Sequence, residues 1–133
     1  MSGRFKVYFA VWGDWPEPSG VTSVIGREPD EFIAKGSPIG QASLVRKQSI
    51  WRIFSPASDL ESIEQHLESL LLILEPHGEG IRRIVGRARA GISCAAYWES
   101  SQTGFHLSRN LVARTSALGL SLDFDMYCSG DHP

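Results

Sequence analysis

Leu120-Ser121-Leu122-Asp123-Phe124-Asp125-Met126-Tyr127 alternates strictly between apolar and polar side chains. Successive side chains on a strand point to opposite faces. Leu120, Leu122, Phe124 and Met126 are therefore expected on one face, and Ser121, Asp123, Asp125 and Tyr127 on the other. The first face reads as core. The second carries two carboxylates and a phenol that core packing does not require. Just upstream, Phe105-His106-Leu107-Ser108 leads into a short helix, with Ser108 as its cap, Leu107 placed to pack on Val112, and Gly119 as its stop.

The same logic places the other elements. Phe5, Val7, Phe9 and Val11 alternate with Lys6, Tyr8, Ala10 and Trp12, which predicts a first strand over Phe5–Trp12. Gly13-Asp14-Trp15-Pro16-Glu17-Pro18 is a turn. Ser19 is placed to cap a short helix carrying Val21, Val24 and Ile25, with Gly26 ending it. Phe32–Lys35 reads as a short edge strand. Ala42–Arg46 and Ile50–Ser55 read as a hairpin around Lys47-Gln48.

Ser58 with Glu61 forms a capping box for the main helix, on which Leu60, Ile63, Leu67, Leu70, Leu71 and Leu74 follow helical spacing. Ile81, Ile84 and Ala88 continue that face past Pro76, where a kink or break is expected. Gly78 and Gly80 each weaken the second half by about 1 kcal/mol relative to alanine. Gly91–Trp98 is a further strand, with Ile92, Cys94, Ala96 and Trp98 against Ser93, Ala95 and Tyr97.

This order predicts an α+β fold: a single-layer mixed or antiparallel sheet with helices packed on one face. It reads as a ferredoxin-like βαββαβ core with a helix and strand added at the C-terminal end. Residues alternating away from the core then gather on the uncovered face: Tyr8, Trp12, Ser93, Tyr97, Asp123, Asp125 and Tyr127, with Arg52 joining them if its strand is in register.

At 133 residues the chain has the size of one domain, 1–133, with 129–133 as a frayed tail. The net charge of −2 gives no basic excess to argue for nucleic acid, and no apolar run approaches the roughly 18 residues that a membrane span needs. The start, Met-Ser-Gly-Arg-Phe-Lys, lacks an apolar signal core, so the cytoplasm is the expected compartment, with Cys94 and Cys128 as free thiols. Arg82, Arg83, Arg87 and Arg89 cluster near the end of a helical region whose first half carries Asp59, Glu61, Glu64 and Glu68. The helix dipole accounts for that arrangement. An anion or partner patch is the other reading.

Taken together, Tyr8-Phe9-Ala10-Val11-Trp12-Gly13-Asp14, Ile25-Gly26-Arg27-Glu28-Pro29, Lys35-Gly36 and Trp51 form an ordered set of short motifs. The helix from Leu60 to Pro76, Ile92-Ser93-Cys94, Leu107-Ser108 and Asp123-Phe124-Asp125-Met126-Tyr127 complete it. In order and spacing the chain resembles a bacterial family catalogued as domain of unknown function 4279. The resemblance implies a small cytoplasmic α+β protein with no assigned enzymatic role. It supplies no catalytic residues. Small proteins of this kind often serve as antitoxin-like or immunity-like partners.

Asp123 and Asp125 lie two apart on one strand face, roughly 7 Å apart. They fit a solvated edge, a partner or ligand face, or a divalent cation, but a hard cation wants several oxygens and only Asp14 is a further candidate. His66 and His77 are expected on the polar flank of the main helix, His106 lies just before a helix cap, and His132 is in the tail. No pair has zinc spacing, no nucleophile is set beside His106, and no glycine-rich phosphate loop is present. No metal or cofactor is expected, and the balance is against catalysis. Trp12 and Trp15 flank Gly13-Asp14 at the mouth of a turn, where aromatics either close a core or mark a binding site.

The leading expectation is a non-enzymatic interaction module. It presents Tyr8, Trp12, Tyr97, Asp123, Asp125 and Tyr127 to a protein partner or to a second copy of the chain, as a homodimer. The alternative is a small-ligand or enzymatic groove at Trp12, Asp14, Trp15 and His106.

Overall fold

Phe5, Val7, Phe9 and Val11 all point inward from strand β1, Gly3–Gly13, which is the middle of one open, mixed five-strand sheet. The computed structural model describes residues 3–41, 43–99 and 104–128. After β1 come helix α1 (Ser19–Ile25), β2 (Glu31–Ile33), β3 (Ser49–Phe54), α2 (Ile63–Leu74), a 3-10 turn (Glu75–His77) and α3 (Gly78–Val85). Strand β4 (Arg89–Trp98), α4 (Arg109–Ala117) and β5 (Ser121–Cys128) complete the order. The sheet runs β2-β3-β1-β4-β5. Neighbours are antiparallel except β4 and β5, which are parallel and joined through α4. The sheet as a whole therefore does not have the four-strand ferredoxin-like order expected for its core.

Every strand residue in the apolar core comes from one face. Phe5, Val7, Phe9, Val11, Trp51, Ile53, Ile92, Cys94, Ala96 and Trp98 pack with Val21, Ile25, Leu67, Leu70, Leu71, Leu74, Ile81 and Ile84 of the helices. Registers such as Phe9 opposite both Ile53 and Ile92 hold these side chains on the same side. No helix among the described residues is long and apolar enough to cross a membrane.

Several local expectations change. Ser19 is not a cap: Pro18 holds that position, and its carbonyl accepts from Val21 and Thr22 N–H. Gly26 does end α1, with φ +88°, a conformation that glycine adopts freely. Of the expected Ala42–Arg46 strand, the described residues 43–46 form no part. Ala42 lies outside the described residues, and Val45 makes only an isolated bridge to Pro38. Arg46 N–H donates to Ser37 O and Gly36 N–H to Arg46 O, so this segment closes on its own base. Strand β3 pairs instead with β2 and β1. The buried Ser49 fixes its start, donating to Trp15 O at 2.6 Å and accepting from Lys35 N–H at 3.0 Å.

The main helix starts later than Ser58 and Glu61 imply. Ser62 caps it, accepting from Gln65 N–H at 3.1 Å, while Ser58 turns the chain locally through Leu60 and Glu61 N–H. Leu60 is accordingly 70% exposed. The break at Pro76 appears as the 3-10 turn. Gly80 marks the closest approach of α3 to α1: a Cβ there would lie 2.2 Å from Val24 O. Ser108 caps α4 by accepting from Leu111 N–H, and Gly119, at φ +77°, ends it. Val112 is exposed.

The inner stripe of β5 fades along the strand: Leu120 is buried, Leu122 and Phe124 are half-buried, and Met126 and Cys128 are exposed. This is an edge strand, and only its first half lies over the core. The expected tail at 129–133 lies outside the described residues.

Candidate functional site

Strand register alone assembles the uncovered face. Tyr8 stands opposite Phe54 on β3 and Ser93 on β4, and Trp12 opposite Ile50 and Arg89. Tyr97 stands opposite Arg4 and Tyr127, Ser93 opposite Asp123, and Ala95 opposite Asp125. Tyr8, Trp12, Tyr97, Asp123, Asp125 and Tyr127 thus share one face, and Arg52, opposite Ala10 and Glu31, is in register with them.

The large side chains on this face hold one another. The Arg52 guanidinium lies 4.7 Å from the Tyr8 ring centroid and pairs with Glu31 at 2.8 Å. Tyr8 meets Phe54 edge-on, with centroids 6.1 Å apart. Arg89 lies over Trp12 at 4.2 Å, and Tyr97 stacks on Tyr127 at 5.0 Å with 12° between the planes. These contacts place each aromatic with less residual freedom than a solvated side chain has. Between them the floor is low. Ala10, Gly91 and Ser93 are buried without belonging to the core, and a Cβ on Gly91 would meet Ser121 Oγ at 2.5 Å.

Both signs of charge lie on this face, with Arg52 paired to Glu31 and Lys6 to Asp59. Lys6 and Arg4 lie on β1 and Arg52 on β3, while Asp123 and Asp125 lie on β5. Phe54, Arg89 and Glu31 were not foreseen here. In Ile50-Trp51-Arg52-Ile53-Phe54 four of five residues are apolar, so alternation could not say which way Phe54 points, although counting two from Arg52 does.

The alternative groove is split. Trp12, Asp14 and Trp15 line a hollow of about 500 Å³ with Gly13, Gln48, Arg87, Ala88 and Arg89. His106 lines another, of about 480 Å³, with Gly3, Phe5, Leu60, Trp98 and Phe105. The two sit at opposite ends of β1, roughly 30 Å apart at the rise of a strand. In the first, Asp14 pairs with Lys35 at 3.7 Å. The Trp15 ring rests against Gly13 and Gly20, where a Cβ would come within 2.5 Å of it.

His66 is 1% exposed and so does not lie on the polar flank of α2. Its Nδ1 is 2.8 Å from Ser55 Oγ, which also accepts from Ala57 N–H at 3.2 Å; the trio ties the end of β3 to α2. Burial holds the imidazole below its ordinary pKa, while the Ser58 backbone and the Asp59 and Glu61 carboxylates pull the other way. A neutral, buried imidazole fastened to a strand end reads as a structural strut. Burial first, and the Asp123 charge second, push the Cys94 thiol up to about 12, so it is inert as a nucleophile. Among the described residues no group of three His, Cys, Asp or Glu side chains could hold a metal ion.

A family model described as Domain of unknown function (DUF4279) matches residues 3–129, nearly the whole chain, and the chain belongs to that family. No curated protein and no solved structure matches it.

Proposed function

We propose that this family member is a non-enzymatic binding module whose uncovered sheet face docks a protein, either a different chain or a second copy of its own. One observation carries the reading. Phe54, Tyr97 and Tyr127, each 40–50% exposed, lie in register with Tyr8 and Trp12 on a face that contributes nothing to the helix-packed core. Solvation alone does not call for five aromatics on one face. Pre-placed aromatics, with arginines beside them and charge around them, are what protein-binding surfaces are enriched in. The Asp123 and Asp125 carboxylates on β5 add an acidic edge, which gives a partner an orientation.

We further take β1 to β4, in the order β2-β3-β1-β4, as a split βαβ unit to which α4 and β5 have been added. The antiparallel pairing of β1 with both β3 and β4 supports this. The added strand is the one that brings Asp123, Asp125 and Tyr127.

The test is an Asp123→Ala/Asp125→Ala variant. Both side chains are exposed, so the fold is expected to survive, as checked by circular dichroism. Loss of the partner that the wild-type chain captures, or of its self-association in sedimentation velocity, is the expected result. A folded variant that keeps both would overturn the reading.

A further inference from the structure

The four clustered arginines part company in the structure. Arg83 donates to Glu79 Oε1 at 3.0 Å, one helical turn away, and Arg82 reaches Ala117 O at 3.5 Å. Arg87 and Arg89 instead line the hollow beside Trp12 and Trp15. Among the described residues no carboxylate pairs with either. Asp14, in the same hollow, is engaged by Lys35.

We propose that this hollow binds a small organic oxyanion, a carboxylate or phosphate on a flat body. Arg87 and Arg89 hold the anion, and the indoles of Trp12 and Trp15 lie against the body. The acid in the hollow, Asp14, is engaged by Lys35, so the two guanidiniums share it with no carboxylate of their own, and an anion between them relieves their mutual repulsion. The planar fork of arginine matches both carboxylate and phosphate oxygens with paired N–H donors. The Arg89 guanidinium lies over Trp12, 4.2 Å from the ring centroid, which places it beside the hollow.

The wall is set in advance. Trp15 O accepts from the buried Ser49 hydroxyl at 2.6 Å, and the Trp15 ring packs on two glycines. Gln48 adds an amide at the rim. The volume of about 500 Å³ falls within the roughly 300–1,000 Å³ of small-molecule sites. This site goes beyond protein docking. It shares Trp12 and Arg89 with the uncovered face but lies at the end of the sheet away from Tyr97 and Tyr127, and the binding of a small anion there is read independently of any protein partner.

Amide and indole NMR tests it. The Nε1–H signals of Trp12 and Trp15, assigned with Trp12→Phe and Trp15→Phe, are followed during titration with benzoate, with phenyl phosphate, with inorganic phosphate and with neutral benzyl alcohol. The expected result is saturable movement of both signals by benzoate or phenyl phosphate below roughly 10 mM, the weak end of small-ligand affinity. Trp51 and Trp98 should stay still, and benzyl alcohol should have no effect. Benzoate against phenyl phosphate separates a carboxylate site from a phosphate site, and inorganic phosphate reads the contribution of the bare anion. An Arg87→Gln/Arg89→Gln variant should bind at least about tenfold more weakly. Arg87→Gln alone, which leaves the Arg89–Trp12 contact in place, should also weaken binding. If neither aromatic anion moves the two signals saturably, or if the folded double variant binds as well as the wild type, the proposal is overturned.

Discussion

Tyr97 and Tyr127 stack at 5.0 Å, their rings only 12° from parallel, across the one parallel strand pair in the sheet. Their Cα atoms are register partners, so the stack follows from the β4–β5 pairing itself. Tyr97 is 41% and Tyr127 50% exposed, so the pair presents aromatic surface outward while contributing little to the core.

Tyr127→Ala should therefore cost little stability, about 1 kcal/mol from the lost ring contact. It should cost far more in partner affinity, because exposed, pre-placed aromatics carry binding energy. Urea denaturation beside a binding isotherm separates the two effects. A variant that loses several kcal/mol of stability would move the pair from the surface to the core.

Gly80 makes the opposite case. A methyl group there would press on Val24 O at 2.2 Å and on the Ile25 Cα at 2.8 Å, both backbone atoms. Gly80→Ala would raise intrinsic helix propensity by about 1 kcal/mol. It should nonetheless destabilise by about 3 kcal/mol, because α1 and α3 must separate. Thermal denaturation showing a lower Tm agrees; an unchanged or higher Tm refutes the close approach.

Two serines in one stretch should behave differently. Ser62→Ala removes the acceptor for Gln65 N–H and should cost about 1 kcal/mol. Ser58→Ala removes only a 3.3 Å turn contact on an exposed segment and should cost a few tenths of that. Equal costs would put the start of the helix back at Ser58.

His66 gives stability a pH dependence of known sign. Burial lowers its folded-state pKa below the ordinary value of 6.5, so between the two values the unfolded chain binds more protons. Stability should be full above pH 6.5 and fall as the pH drops from there through the folded-state value. The groups around it are Asp59, Glu61, Lys6 and Ser55. Glu75 titrates in a separate, more acidic window, because its hydrogen bonds to Arg114 hold it below 4.5. Denaturation midpoints from pH 5 to 8 for the wild type and for His66→Gln should diverge only toward acid; parallel curves would mean that His66 is not buried neutral.

What was legible in the chain followed from periodicity. The alternation of Phe5–Trp12, Gly91–Trp98 and Leu120–Tyr127 placed three strands and the faces of their side chains, and register then carried Tyr8, Trp12, Tyr97, Asp123, Asp125 and Tyr127 to one surface. What failed was local. Ser58 and Ser62 both precede a plausible helix start with an acid or amide three residues on, and only the exposure of Leu60 decides between them. Ala42–Arg46 reads as the partner of Ile50–Ser55 across Lys47-Gln48, but Ser49 bonds Trp15 and Lys35, and β3 pairs at that edge with Glu31–Ile33. His106 and Trp12 are both next to turns, and spacing along the chain cannot say that β1 holds them a strand length apart. His66 looked solvated because its neighbours Gln65 and Glu64 are polar, but it sits one position before Leu67 on the edge of the buried stripe.

Site-specific photo-crosslinking in the source cell tests the central claim most directly. A photoreactive phenylalanine analogue is placed at Tyr127 on the uncovered sheet face and, as the control, at Leu72, which is 61% exposed on α2. The account predicts a discrete crosslinked protein from position 127, identified by mass spectrometry as a partner or a second copy, and none from position 72. The same weak smear from both, or a discrete product from position 72 alone, would contradict it.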